Sequence, residues 1–311
     1  MILYLNVFLP PFGMLLAGAL LRRWLLREDA VWAGIERLVF WALLPALLVS
    51  AISAVDLAAL PLGAMALVIW LALLLGGGLS LVLARAFGTL HPAATSVFQG
   101  GIRFNQLMGF AVVAGLYGGA GTSLGAVATG LIVPCVQVLT ILVFALGRPD
   151  GARPTPGRVA RQLATNPLLL ACIIGFSVAA LGGLPPGLRP LLATLGQASI
   201  ALGLLCVGAA LSLATLKDRL GLQLATACLK LLGMPALTLL FGHVFGLAPL
   251  ALANALIFMA LPTATTSYVM ARAMGGDAKL MAAIITLQHL LSAITLPAMI
   301  ALLGLAGPVP G

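Results

Sequence analysis

The sequence predicts an all-α integral membrane protein of ten spans, and three observations carry that prediction. Hydrophobic residues make up 62% of the 311 and charged residues 7%, with a mean hydropathy of +1.19, whereas soluble domains carry about a quarter charged residues. The apolar residues come in runs longer than a strand, and hydrocarbon offers no water to an unpaired amide, so helices must carry the backbone through lipid. Lysine and arginine also fall almost wholly on one set of alternating loops. With ten spans, that set holds Arg22, Arg23, Arg27, Arg37, Arg85, Arg148, Arg153, Arg158, Arg161, Lys217, Arg219, Arg272 and Lys279, and the other set holds Arg189.

Taken in order, the spans lie near 3–21, 34–53, 61–87, 93–117, 121–147, 163–181, 191–214, 222–246, 249–274 and 278–305. The first is followed, not preceded, by its arginines, which is the wrong order for a cleaved signal peptide, so it reads as a retained helix. Short-loop lysine and arginine mark the cytoplasmic face, which places both termini outside. The fourth and ninth spans are interrupted by glycine and polar residues and read as broken helices. Between the fifth and sixth, 148–162 contains RPDGARPTPGR, a basic loop rich in proline and glycine that reads as a cytoplasmic linker. It separates two five-helix repeats, 1–147 and 163–311. An odd helix number per half inverts the second half in the membrane, the arrangement of many secondary transporters. Pro10 maps to Pro167 and Asn105 to Pro262 at one common offset.

Several function classes drop out. The basic residues do not cluster on a soluble domain, so nucleic acid is not an expected partner. Cys135, Cys172, Cys206 and Cys228 stand singly in apolar runs with no metal-ligand spacing, so neither a metal site nor a disulfide framework is expected. No HExxH, paired aspartates or Ser/His/acid set points to an enzyme, and no cofactor is implied.

Polar groups inside a span cost about 2.5–3.5 kcal/mol on insertion scales and so mark cavities or partners. Here they concentrate in two places. Span four reads FQGGIRFNQLMGFAVVAGLYG from Phe98, with Arg103, Asn105 and Gln106 among glycines; span nine holds Pro262, Thr263, Thr265, Thr266, Ser267 and Tyr268. Pro262 frees carbonyls that lipid cannot satisfy, which a broken helix lining a cavity resolves. The half-helix N-terminus and hydroxyls that follow suit a carboxylate. The plain alternative is a proline kink with hydroxyls bonded to their own helix. Arg103 lies roughly 15 Å into its span. It either faces an organic anion, or snorkels or pairs with Glu36. The seven acids sit in loops or at span ends, which disfavours a carboxylate-built Na⁺ or H⁺ site. His289, next to Gln288 in span ten, is the candidate proton relay, with helix packing as the alternative. Lys230 reads as a snorkelling residue.

These residues bring the chain close to a known family. PTATTSYVMARAMGGDAKLMAAIITLQHLLSAITLPAMI from Pro262, RFNQLMG around Asn105, NPLLLACIIGF from Asn166 and GLLCVGAALSL from Gly203 resemble the bacterial branch of the auxin efflux carriers, over essentially the whole chain. The resemblance implies a bile-acid-symporter-like fold with a scaffold of helices one, two, six and seven. Helices three to five and eight to ten would form an elevator-like transport domain in which four and nine cross near Asn105 and Pro262. It also implies a homodimer in the lipid membrane and small carboxylates such as malonate or malate as substrates. The chain departs from the pattern in having no proline at Gly109-Phe110-Ala111, where the helix-four break is expected, no acid in helix three and only a short central loop. Auxin is therefore not implied as the substrate. A membrane receptor that binds without transporting, and a sodium-coupled symporter, are the competing expectations.

Overall fold

The computed structural model describes residues 2–56, 62–146, 157, 160–161 and 164–305. The expected linker, 148–162, lies outside the described residues but for Gly157, Ala160 and Arg161. Every regular element among the described residues is helical. We label the α-helices α1 (Ile2–Trp24), α2 (Asp29–Leu38), α3 (Leu44–Ile52), α4 (Leu62–Ala86), α5 (His91–Ile102), α6 (Gln106–Leu146), α7 (Pro167–Ala180), α8 (Leu188–Ala210), α9 (Leu220–Cys228), α10 (Met234–Val244), α11 (Pro249–Ala260), α12 (Thr266–Met274) and α13 (Ala278–Leu302). Seven helical stretches among the described residues are long and apolar enough to cross a bilayer, and α7 and α11 are shorter apolar helices.

Proline explains where two long helices change pitch. The π turns Val39–Leu43, between α2 and α3, and Leu229–Gly233, between α9 and α10, each end two residues before a proline, Pro45 and Pro235. A proline has no amide hydrogen and its ring clashes with the carbonyl four residues back; widening the turn relieves both conflicts without ending the helix.

The 56-residue stretch His91–Leu146 holds two interruptions. The first is the extended segment 103–105 between α5 and α6. The second is Gly118, at φ 58° and ψ −137°, a conformation open to glycine alone. A Cβ placed on Gly125 would lie 3.2 Å from the Val113 side chain, whereas twelve residues of straight helix span about 18 Å. The chain therefore folds back at Gly118, and α6 is two antiparallel arms, 106–117 and 119–146.

The helix-four break thus sits at 103–105, upstream of the Gly109-Phe110-Ala111 position expected from the family pattern. Gly109 is helical and serves packing: a Cβ there would meet Leu261 at 2.7 Å and Phe258 at 3.1 Å. Phe258 inserts between Gly109 and Gly125 and packs edge-on to Phe110, with ring centroids 5.8 Å apart. Phe258, Phe110 and Leu261 belong to one large cluster of buried apolar side chains. α1 packs most extensively against α8. Gly18 faces the Leu205 carbonyl and Gly208 faces the Leu15 carbonyl, so two glycines let the two backbones touch.

Candidate functional site

The second break, 261–265, separates α11 from α12, and it is joined directly to the first. The Asn105 amide donates to the Pro262 carbonyl at 2.7 Å. Behind this contact lies α13, whose fully buried Gln288 spans both breaks: Nε2 donates to the Gly100 carbonyl at 2.9 Å, and Oε1 accepts from the Thr263 amide at 2.9 Å. Thr263 Oγ1 also donates to the Gln99 carbonyl at 3.3 Å and lies 3.4 Å from Ser267 Oγ.

Asn105 is spent on the same framework. Its Oδ1 accepts from the Met108 amide at 3.3 Å, an N-cap for α6, and its Nδ2 meets His289 Nε2 at 3.0 Å. His289 Nδ1 lies 2.8 Å from the Ile285 carbonyl. A carbonyl only accepts, so Nδ1 carries the hydrogen, and Nε2 accepts from Asn105. The imidazole is neutral in this arrangement.

In front of the breaks opens a cavity of about 470 Å³, within the roughly 300–1,000 Å³ usual for small-molecule sites. Of the residues expected from sequence, Arg103, Asn105, Gln106, Thr265 and Thr266 line it. Pro262, Thr263 and Ser267 are buried beneath its wall, Gln288 and His289 lie behind it, and Tyr268 is exposed outside it with the Arg272 guanidinium 5.9 Å from its ring centroid.

Arg103 caps the C-terminus of α5 in extended conformation. Its Nη2 donates to Thr266 Oγ1 at 3.2 Å and its Nη1 approaches Met270 Sδ at 2.8 Å, while Nε is buried without a partner. It forms no ion pair among the described residues. A guanidinium held by a hydroxyl and a thioether keeps most of its donor capacity for something else.

Three helix N-termini reach the same cavity. α6 contributes Gln106, α12 contributes Thr266, and α7 contributes its N-cap Asn166 together with Leu168. Asn166 Oδ1 accepts from the Leu168 and Leu169 amides at 2.9 and 3.4 Å, which leaves its NH₂ group free for a ligand. Helix N-termini bring partial positive charge, although at α7 the first amides are spent on Asn166.

Glu36, considered from sequence only as a partner for Arg103, lines the cavity without pairing with it, and Arg37, Gln137 and Asn166, for which the sequence suggests no site role, line it beside Phe40, Trp41 and Phe104. Glu36 was expected at a span end. The helix begins at Asp29, with Glu28 as its N-cap position, so Glu36 lies two turns inside. The Glu28-Asp29 pair was the available start signal. Asn166-Pro167, a cap followed by proline at the first helical position, was a readable helix start. Gln137, a single amide in an apolar run, carried no signal. Lys230 does not snorkel either: it is fully buried, with Nζ donating to the Met259 carbonyl at 3.1 Å.

A family model described as membrane transport protein matches residues 7–300. The chain belongs to that family, the auxin efflux carriers. No curated protein matches the chain. Irregular backbone at membrane depth persists only where protein or a water-filled cavity satisfies it, and the two joined breaks have protein on one side and this cavity on the other.

Proposed function

We propose that this carrier family member is a secondary transporter of a small organic anion, a mono- or dicarboxylate of the malonate or malate kind, and that the cavity at the two breaks is its substrate site. The observation that carries the reading is Arg103: a guanidinium with no acid partner among the described residues, in a cavity that three helix N-termini also line. The cavity holds two cations, Arg37 and Arg103, against one acid, Glu36. A carboxylate fits that balance and takes two donors from a guanidinium in parallel. Arg103, Gln106, Thr265 and Thr266 would contact it. Asn105, Pro262, Thr263, Ser267, Gln288 and His289 would hold the breaks in place, with Tyr268 at the rim. A proton taken up by His289 would land on Nε2 against the Asn105 NH₂ group and disturb the cap on α6, which makes His289 the candidate link to a proton.

The same reading takes the architecture as ten spans in two inverted repeats. The fold-back at Gly118 supports it, because α5 with 106–117 then forms a fourth span and 119–146 a fifth. α7, α8, the α9–α10 pair, the α11–α12 pair and α13 complete the second half. Helices four and nine would cross at Asn105 and Pro262 and move with an elevator-like domain against a dimeric scaffold. The same reading takes both termini as periplasmic in a bacterial inner membrane, and the thirteen-to-one loop charge supports it.

Uptake of radiolabelled malonate, malate and indole-3-acetate into proteoliposomes tests the proposal, with wild type set beside Arg103→Gln and Asn105→Ala and with and without a pH gradient. Carboxylate flux that falls sharply at tracer concentration in both variants is the expected result. Robust flux untouched by either moves the site elsewhere, and specific binding without flux of any anion favours a receptor.

A further inference from the structure

The carbonyl end of α11 holds a charge that the substrate site does not use. α11 stops at Ala260, and the last carbonyls of any helix lack partners within it. That end carries partial negative charge, and in transporters built on broken helices such exposed carbonyls are where coupling cations sit. Here the position is taken. Lys230 projects from the π turn Leu229–Gly233, is fully buried, and donates from Nζ to the Met259 carbonyl at 3.1 Å, one residue before the end of α11. It forms no ion pair among the described residues, so the carbonyl end of α11 is the negative pole it faces. An ammonium at this depth is costly unless something holds it, and a lysine stem four carbons long that runs inward rather than to the interface has given up the easy escape. Pro235 contributes by forcing the π turn that sets the register of Lys230 on the helix.

We propose that Lys230 is a resident cation. Its ammonium fills, from within the chain, the cation site that the broken end of α11 presents, so the protein binds no alkali ion there and its transport does not draw on a sodium gradient. The inference deepens the transport reading and rests on it only for flux; its structural half stands separately.

The test compares wild type, Lys230→Met and Lys230→Ala, each purified in detergent and unfolded thermally at matched ionic strength in sodium, potassium, choline or propylammonium chloride, with anion flux measured in parallel. Wild type should unfold at one temperature in sodium and in choline, and its flux should not depend on sodium. Both variants should unfold about 5 °C lower, the scale of one lost charged hydrogen bond in a chain of this size. Lys230→Ala, which leaves room at the carbonyls, should recover in propylammonium or sodium but not in choline. Lys230→Met fills that room and should not recover. The proposal is overturned by a wild type that sodium stabilises over choline, by Lys230→Met keeping wild-type Tm and flux, or by Lys230→Ala recovering equally in choline. Should Lys230→Ala fail to fold, the wild-type and Lys230→Met arms decide. Should no organic anion be carried at all, the transport reading falls while the thermal arms still judge Lys230.

Discussion

Gln288 offers the sharpest test of how the two breaks are held. Its amide is the only side chain among the described residues that bonds both, at 2.9 Å to the Gly100 carbonyl and 2.9 Å to the Thr263 amide. Gln288→Met keeps the length and volume of the side chain and removes both bonds. Each stranded buried backbone group costs roughly 1–3 kcal/mol, so the pair costs about 2–6 kcal/mol. For a chain this long each kcal/mol lowers Tm by roughly 2–4 °C, which puts the expected fall near 10 °C. The assay is thermal unfolding of the detergent-solubilised protein followed by tryptophan fluorescence. Gln288→Glu adds a control with a definite sign. A neutral glutamic acid can donate to Gly100 and accept from Thr263, whereas its carboxylate can only accept. The Tm of that variant should therefore rise as pH falls from about 8 to about 5, while wild type shows no such gain. If Gln288→Met unfolds within about 1 °C of wild type, water or a repacked neighbour satisfies both groups and the brace carries no weight.

Three further expectations concern the cavity and its walls. Arg103→Gln should raise the KM for the transported anion roughly 10–100-fold, the worth of a charge-assisted hydrogen bond of about 1.5–3 kcal/mol, and Arg103→Lys should fall between because a lysine cannot form the planar fork; concentration-dependent uptake measures both. Glu36→Gln should lower KM several-fold, since it removes the acid that shares the cavity with Arg103, and an unchanged or higher KM would place Glu36 on the substrate's side of the balance. Gly109→Val should destabilise by about 1–3 kcal/mol through overlap with Phe258 and Leu261, with Gly109→Ala milder, as read from thermal unfolding.

Much of this molecule could be read from the sequence because the bilayer constrains it so strongly. Composition alone gave the helical membrane class, and the boundaries of α1, α4 and α13 lie close to the runs cut at their flanking charges. Asn105 and Pro262 were singled out, and the structure joins them by one hydrogen bond. What escaped was the direction of side chains. Thr263 and Ser267 belong to the same hydroxyl run as Thr265 and Thr266, yet the first pair is buried, Thr263 on the Gln99 carbonyl and Ser267 on Thr263, and the second pair lines the cavity. A run of like residues across a break has no fixed period, so the sequence does not say which of them point where. Lys230 escaped for a related reason: its depth along the span was legible, but the π turn before Pro235 reset the helical register on which its orientation depends. The helix-four break was expected at glycine, the residue with backbone freedom, whereas Gly109 answers to the bulk of Phe258 across the interface.

The four broken ends are treated according to their polarity. At the carbonyl ends, Gln99 accepts from Thr263 Oγ1, Gly100 from Gln288 and Met259 from Lys230, while beyond α11 Pro262 accepts from Asn105. Each of these donors belongs to the chain itself and is buried. At the amide ends, α6 and α12 begin with Gln106 and Thr266, both of which line the cavity, and Arg103 lies between them. The buried side thus fixes the geometry with two amides, a hydroxyl and one ammonium, and the open side carries the first residues of α6 and α12 beside a guanidinium; on the proposed function, that side is the one an anion would complement.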